Sequence, residues 1–178
     1  MLMKCGQLKL TAFFLAIEDR PALIGGLTQE EKMKLEPLFY AKENKLYKIA
    51  DNSPVDTASL KRIEIKWSTV EIEEESYNEE YLANLRDQLK SYDESGIFAV
   101  LVPLVDKPLE SPEQSELFIA AFNHTARRVK DCISVVGFEL PNELKDKDGF
   151  MDTLAIKHAQ YLYFSKDSQT TNGSIVLY

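Results

Sequence analysis

The residues best equipped for chemistry in this sequence are Asn142 and Glu143, an uncharged amide beside a titratable carboxyl, directly after the run ISVVGFELP. That run reads as a β-strand. The pair therefore stands at the carboxyl end of a strand, where βα folds gather their functional groups. Glu139 adds a second carboxyl to the same strand end. His124 and His158 are isolated within helical patterns and read as surface or packing residues, not metal ligands. Cys5 and Cys132 are far apart and form no CxxC or Cys/His cluster, which argues against a zinc site or a disulfide framework and suits reduced thiols in a cytosol. No metal or cofactor is expected, because no Gly-rich phosphate loop, nucleophile elbow or Cys/His dyad occurs. The acidic run over residues 71–75 reads as a solvated loop.

Length and charge bound the setting. The chain has 178 residues, enough for one domain with a real core and too few for two full ones. Its 44% hydrophobic and 28% charged residues are ordinary for a globular protein. The net charge of -8 opposes the counterion release that drives binding to phosphate backbones, so nucleic acid is not an expected partner. The opening lysine and apolar run resemble the start of a signal peptide, but the run is short and meets Glu18-Asp19-Arg20 without a small-residue cleavage site. Residues 8–17 read instead as a buried strand, a cytoplasmic location is expected, and no stretch approaches the ~20 apolar residues of a membrane span.

The elements that position Asn142 and Glu143 follow from periodicity and punctuation. Thr28-Gln29-Glu30-Glu31 has the form of a capping box opening a short helix that ends near Glu36-Pro37. Residues 39–49 alternate around Glu43-Asn44 and suggest a small hairpin, followed by a loop over 51–59. From Leu60 the rhythm becomes strand, helix, strand, helix, the pattern of βα units. LKRIEIKW, over 60–67, alternates as a strand. Asn78 can cap a helix through Tyr92 that Gly96 terminates, and IFAVLVPL, over 97–104, reads as a strand covered on both faces. A helix is expected from Pro112 to about Lys130, a strand over 133–140, a helix over 150–164 and a last strand over 174–178.

With residues 8–17 as the first strand, Glu139-Leu140-Pro141-Asn142-Glu143 falls at the end of the fourth. There the sequence resembles the cellulase-like retaining glycoside hydrolases of the (β/α)-barrel superfamily, which carry E-L-x-N-E-P at that place. The resemblance runs from LKRIEIKW through IFAVLVPL and FIAAFNHTARRVKD into ISVVGFELPNE, over about residues 60–143, and covers about the first half of such a barrel. It implies that Glu143 is the general acid/base, protonating the leaving oxygen and then activating water, and that Asn142 hydrogen-bonds the sugar 2-hydroxyl. Leu144 stands where the family has proline, and AVLVPLVDK lacks the histidine the family often carries after its third strand. Retention also requires a second carboxylate roughly 5–5.5 Å away. In the family it follows the seventh strand, whereas this chain reaches about the fifth, so only the acid/base half of the family's site is expected here.

The expected architecture is thus one α/β domain over 1–178. Residues 1–59 form a strand, a short helix and a hairpin insertion, and 60–178 form βα units resembling a partial, about five-stranded TIM-type barrel. An open edge at 174–178 would permit homo-oligomer formation, unless the 39–49 hairpin covers an edge. Trp67, at a strand end, has two readings: a stacking platform for a pyranose, with Glu139 as a further substrate-binding group, or a piece of core. Glu143 likewise either acts on a β-linked carbohydrate or merely solvates its loop. In the second case the protein is a catalytically inactive half-barrel remnant that serves as a protein-interaction or structural module.

Overall fold

The computed structural model describes residues 35–178. The strand read over 8–17 and the capping box at Thr28 lie outside that range. The description opens with an antiparallel hairpin, β1 (Phe39–Lys42) and β2 (Lys45–Lys48), to which β3 (Pro54–Val55) adds a third strand. Glu43 and Asn44 form the hairpin tip with φ of 51° and 61°. This consecutive left-handed pair is what a two-residue hairpin turn requires. A 3-10 turn at Thr57–Ser59 then leads into the βα series.

That series contains β4 (Lys61–Lys66), a single helical turn α1 (Trp67–Val70), and a small hairpin of β5 (Glu71–Glu73) and β6 (Ser76–Tyr77). Helix α2 (Glu79–Ser95), β7 (Ala99–Leu104), α3 (Pro112–Arg128), β8 (Val135–Glu139), α4 (Lys147–His158), β9 (Leu162–Ser165) and β10 (Ile175–Leu177) follow. Strands β4, β7, β8, β9 and β10 form one five-stranded sheet in chain order, parallel throughout. Local chemistry sets the helix ends. Asn78 accepts the Tyr81 N–H to start α2, Gly96 at φ 65° stops it, and Ser111 with Gln114 forms a capping box ahead of Pro112.

Alternation along the strands separates two faces. Leu101, Tyr163 and Ile175 pack with the helices, among Leu82, Leu89, Phe118, Phe122 and Phe150. Val100, Phe164 and Val176 point the opposite way and pack against Phe39 and Leu46 of the hairpin. A closed barrel would bury that second face within itself. Here the hairpin covers it. At Gly137 the backbone of β8 runs so close to β9 that a Cβ would stand 1.8 Å from the Leu162 carbonyl oxygen, which leaves no room for any side chain.

Three expectations are corrected. The helix read over 150–164 is α4 followed by β9, because Tyr161-Leu162-Tyr163-Phe164 is a short apolar run whose periodicity suits either state and whose partners β8 and β10 lie elsewhere in the sequence. With residues 8–17 left uncounted, β9 is therefore the fourth strand of the described sheet and β10 the fifth. The acidic run is no simple solvated loop, since Glu71 is buried at 3% exposure and paired with Lys107 at 3.2 Å. The edge of β10 is not open, because the tip of the hairpin lies against it.

Candidate functional site

Strand β8 ends at Glu139, and the chain then turns over residues 141–144, closed by the Leu144 N–H donating to the Pro141 carbonyl at 3.3 Å. Leu144, the residue that stands in place of the family's proline, is 1% exposed and anchors this turn in the helix-side core. Between these fixed points Asn142 and Glu143 are both exposed. Neither side chain makes a hydrogen bond or ion pair with another described residue. The amide and the carboxyl are thus presented to solvent at the rim of the sheet, on a turn held at both ends.

Glu139 differs sharply from its neighbours. The residue is 8% exposed, and its carboxylate lies on the hairpin-side face. The Arg62 guanidinium of β4 and the Tyr178 hydroxyl both donate to its Oε2, and Lys166 Nζ stands 3.4 Å from Oε1. The Arg62 guanidinium also lies 4.6 Å from the centre of the Tyr178 ring, a cation–π contact. Burial, reinforced by the adjacent Glu139 carboxylate, pushes the Tyr178 hydroxyl well above the ordinary tyrosine range, so it stays protonated and remains a donor. Arg62 pairs with Val100 of β7, which pairs in turn with Gly137 of β8, so its guanidinium reaches across β7 to the end of β8. With two donors on Oε2 and the Lys166 ammonium beside Oε1, Glu139 organises the inner face of the sheet.

Trp67 goes to the other side. It is 2% exposed in the helix-side core, edge-on to Phe118 with centroids 5.4 Å apart, and Lys107 Nζ lies 4.9 Å from its ring centre. The placement corresponds to its packing reading, and no ring face is offered beside Glu143. Glu139, Asn142 and Glu143 thus follow one another at the end of β8, the first buried on the hairpin-side face and the other two exposed, while Trp67 lies on the opposite face. Sequence reasoning missed Arg62, Lys166 and Tyr178. The alternation Arg62, Glu64, Lys66 in LKRIEIKW was the one available signal, a polar stripe that the structure directs to the inner face. His124 pairs with Glu79 at 2.9 Å and stacks on Tyr77, while His158 is buried at 3%. Among the described residues no group of three or more His, Cys, Asp and Glu side chains could hold a metal ion. A shallow apolar depression, lined by Pro37, Phe39, Val136 and Leu162 among others, lies at the amino ends of the strands, away from Glu143.

A run of adjacent parallel strands in chain order, with helices packed on one face and carboxyls at the carboxyl ends of the strands, defines a partial (β/α)-barrel. Solved glycoside hydrolases share this fold, as the resemblance in the sequence implied. Endo-glycoceramidase II from Rhodococcus sp., determined as its lactosyl-enzyme intermediate, superposes with a TM-score of 0.50 over 58% of this chain at 17% identity. A GH5_18 protein from Bifidobacterium longum subsp. infantis matches 64% of this chain and 36% of its own, with a TM-score of 0.46 at 10% identity. The chain spans about 40% of the length of the endo-glycoceramidase. The likeness at this identity is one of fold. No protein-family model and no curated protein sequence matches the chain. No described helix is long and apolar enough to cross a membrane.

Proposed function

We propose that the protein is a glycoside hydrolase-like domain that binds a β-linked carbohydrate at the carboxyl rim of its sheet, through Asn142 and Glu143. The observation that carries this reading is the pair's position: exposed, unpartnered among the described residues, and held on an anchored turn at the end of β8. The endo-glycoceramidase with the same fold holds a lactosyl group as an enzyme intermediate. In this role Asn142 hydrogen-bonds a sugar hydroxyl without adding charge, and Glu143 faces the glycosidic oxygen as acid/base. Glu139 is buried on the hairpin-side face with Arg62 and Tyr178 donating to its Oε2 and Lys166 3.4 Å from its Oε1, so we assign it a structural role and not that of the second carboxylate of a retaining pair. The reading is therefore one of carbohydrate binding and assigns no nucleophile.

Calorimetric titration with lactose and cellobiose tests the reading. Saturable binding that weakens at least 10-fold in Asn142→Ala is expected, with no turnover of an aryl β-glycoside. Absence of binding to any β-linked glycan in a screen would refute it. A second reading, a protein-interaction module, draws on Leu38, Ile49, Ile97 and Ile133, which are 40–49% exposed near the amino ends of the strands. A chain that ignores sugars but forms a stable complex through that end would favour it.

A further inference from the structure

The outer edge of β10 is occupied by one residue of the hairpin tip. Asn44 donates its backbone N–H to the Gly173 carbonyl at 3.1 Å, and its own carbonyl accepts the Leu177 N–H at 3.0 Å. Its side-chain Nδ2 donates to the Ile175 carbonyl at 2.7 Å and to the Asn172 carbonyl at 2.8 Å. Ile175 and Leu177 are two apart on a strand, so these groups project from the same edge, the one facing away from β9. In a closed barrel this edge receives the next strand.

We propose that Asn44 is a seal built into the fold. It imitates a strand residue, ends the sheet at β10, and keeps that edge from pairing with the β10 edge of a second copy of this chain. The residue type fits the task. Asparagine tolerates the left-handed backbone found at φ 61°, and its amide reaches carbonyls that the backbone of a single residue cannot. An unsealed β10 would present unpaired N–H and C=O groups, the standard template for edge-to-edge association. The inference rests on the fold and is independent of the carbohydrate reading.

Asn44→Gly keeps the backbone conformation and removes both side-chain hydrogen bonds. Local opening of the edge should increase roughly 10- to 100-fold, read as the same loss of hydrogen-exchange protection at the Leu177 amide. Sedimentation velocity over rising concentration should show self-association of the variant and none of the wild type through this edge. Adding Leu177→Pro, which removes the edge donor, should abolish that association. If Asn44→Gly folds poorly, Asn44→Asp serves, because it keeps the turn and lacks the amide donors. Unchanged protection at Leu177, a variant that stays monomeric once protection is lost, or a wild-type dimer dissolved by Leu177→Pro would each overturn the proposal.

Discussion

Replacing Arg62 with methionine tests whether the inner face is organised around Glu139. The substitution keeps most of the aliphatic stem and removes the charge. A hydrogen bond between charged groups contributes about 1.5–3 kcal/mol, and the buried carboxylate would be left with only Tyr178 and Lys166. Because the Arg62 side chain is 32% exposed and that of Glu139 11%, solvent screens part of the interaction and about 1–2 kcal/mol is the appropriate share. Loss of the cation–π contact with Tyr178 adds roughly 0.5 kcal/mol. The sum, about 2 kcal/mol, corresponds to a fall in Tm of roughly 4–8 °C for a domain of this size. Urea denaturation of wild type, Arg62→Met, Glu139→Gln and the double variant gives a thermodynamic cycle. A coupling of about 1 kcal/mol or more is expected, with the double variant more stable than the sum of the single losses predicts. A coupling below about 0.3 kcal/mol would show that Arg62 and Glu139 do not act as a pair.

Two further outcomes follow from buried groups. Burial, with Lys130, Lys157 and Arg127 nearby, holds the His158 imidazole below its usual range, so the native state takes up its proton later than the unfolded chain does. Its contribution to stability is therefore complete above the unfolded value of 6.5 and is lost as pH falls through the folded value. Urea midpoints between pH 7.5 and 5 should decline in wild type and decline less in His158→Gln; parallel declines would contradict the assignment. Burial also raises the Cys132 thiol to about 11, so almost no thiolate exists at pH 8. In a Cys5→Ser background, a thiol reagent should modify Cys132 at least 100-fold more slowly in native than in urea-unfolded protein, whereas rapid native labelling would mean the thiol is accessible.

Much of the frame was readable from local patterns. The alternation of LKRIEIKW, the apolar run IFAVLVPL, Asn78 as a cap, Gly96 as a stop and Glu43-Asn44 as a hairpin turn all appear where local rules place them, because each depends on residues a few positions apart. The run YLYF was not readable as a strand. Its identity as β9 depends on pairing with β8 and β10, and a short apolar segment carries no period long enough to distinguish a strand from the end of a helix.

The same division runs through the site. Sequence alone determined that an amide and a carboxyl follow a strand in a βα series, since both the pair and the strand are local features. Only the tertiary structure decided that Glu143 faces solvent while Glu139 is held by Arg62, Tyr178 and Lys166. Those partners come from different strands and their ends, and converge only when the parallel sheet is assembled. It also decided that the hairpin takes over two tasks of a full barrel, covering the inner face and ending the sheet at β10. Phe39 and Leu46 can meet Val100, Phe164 and Val176, and Asn44 can meet Gly173 and Leu177, only after loops of many tens of residues have closed. No local pattern in the chain encodes such contacts.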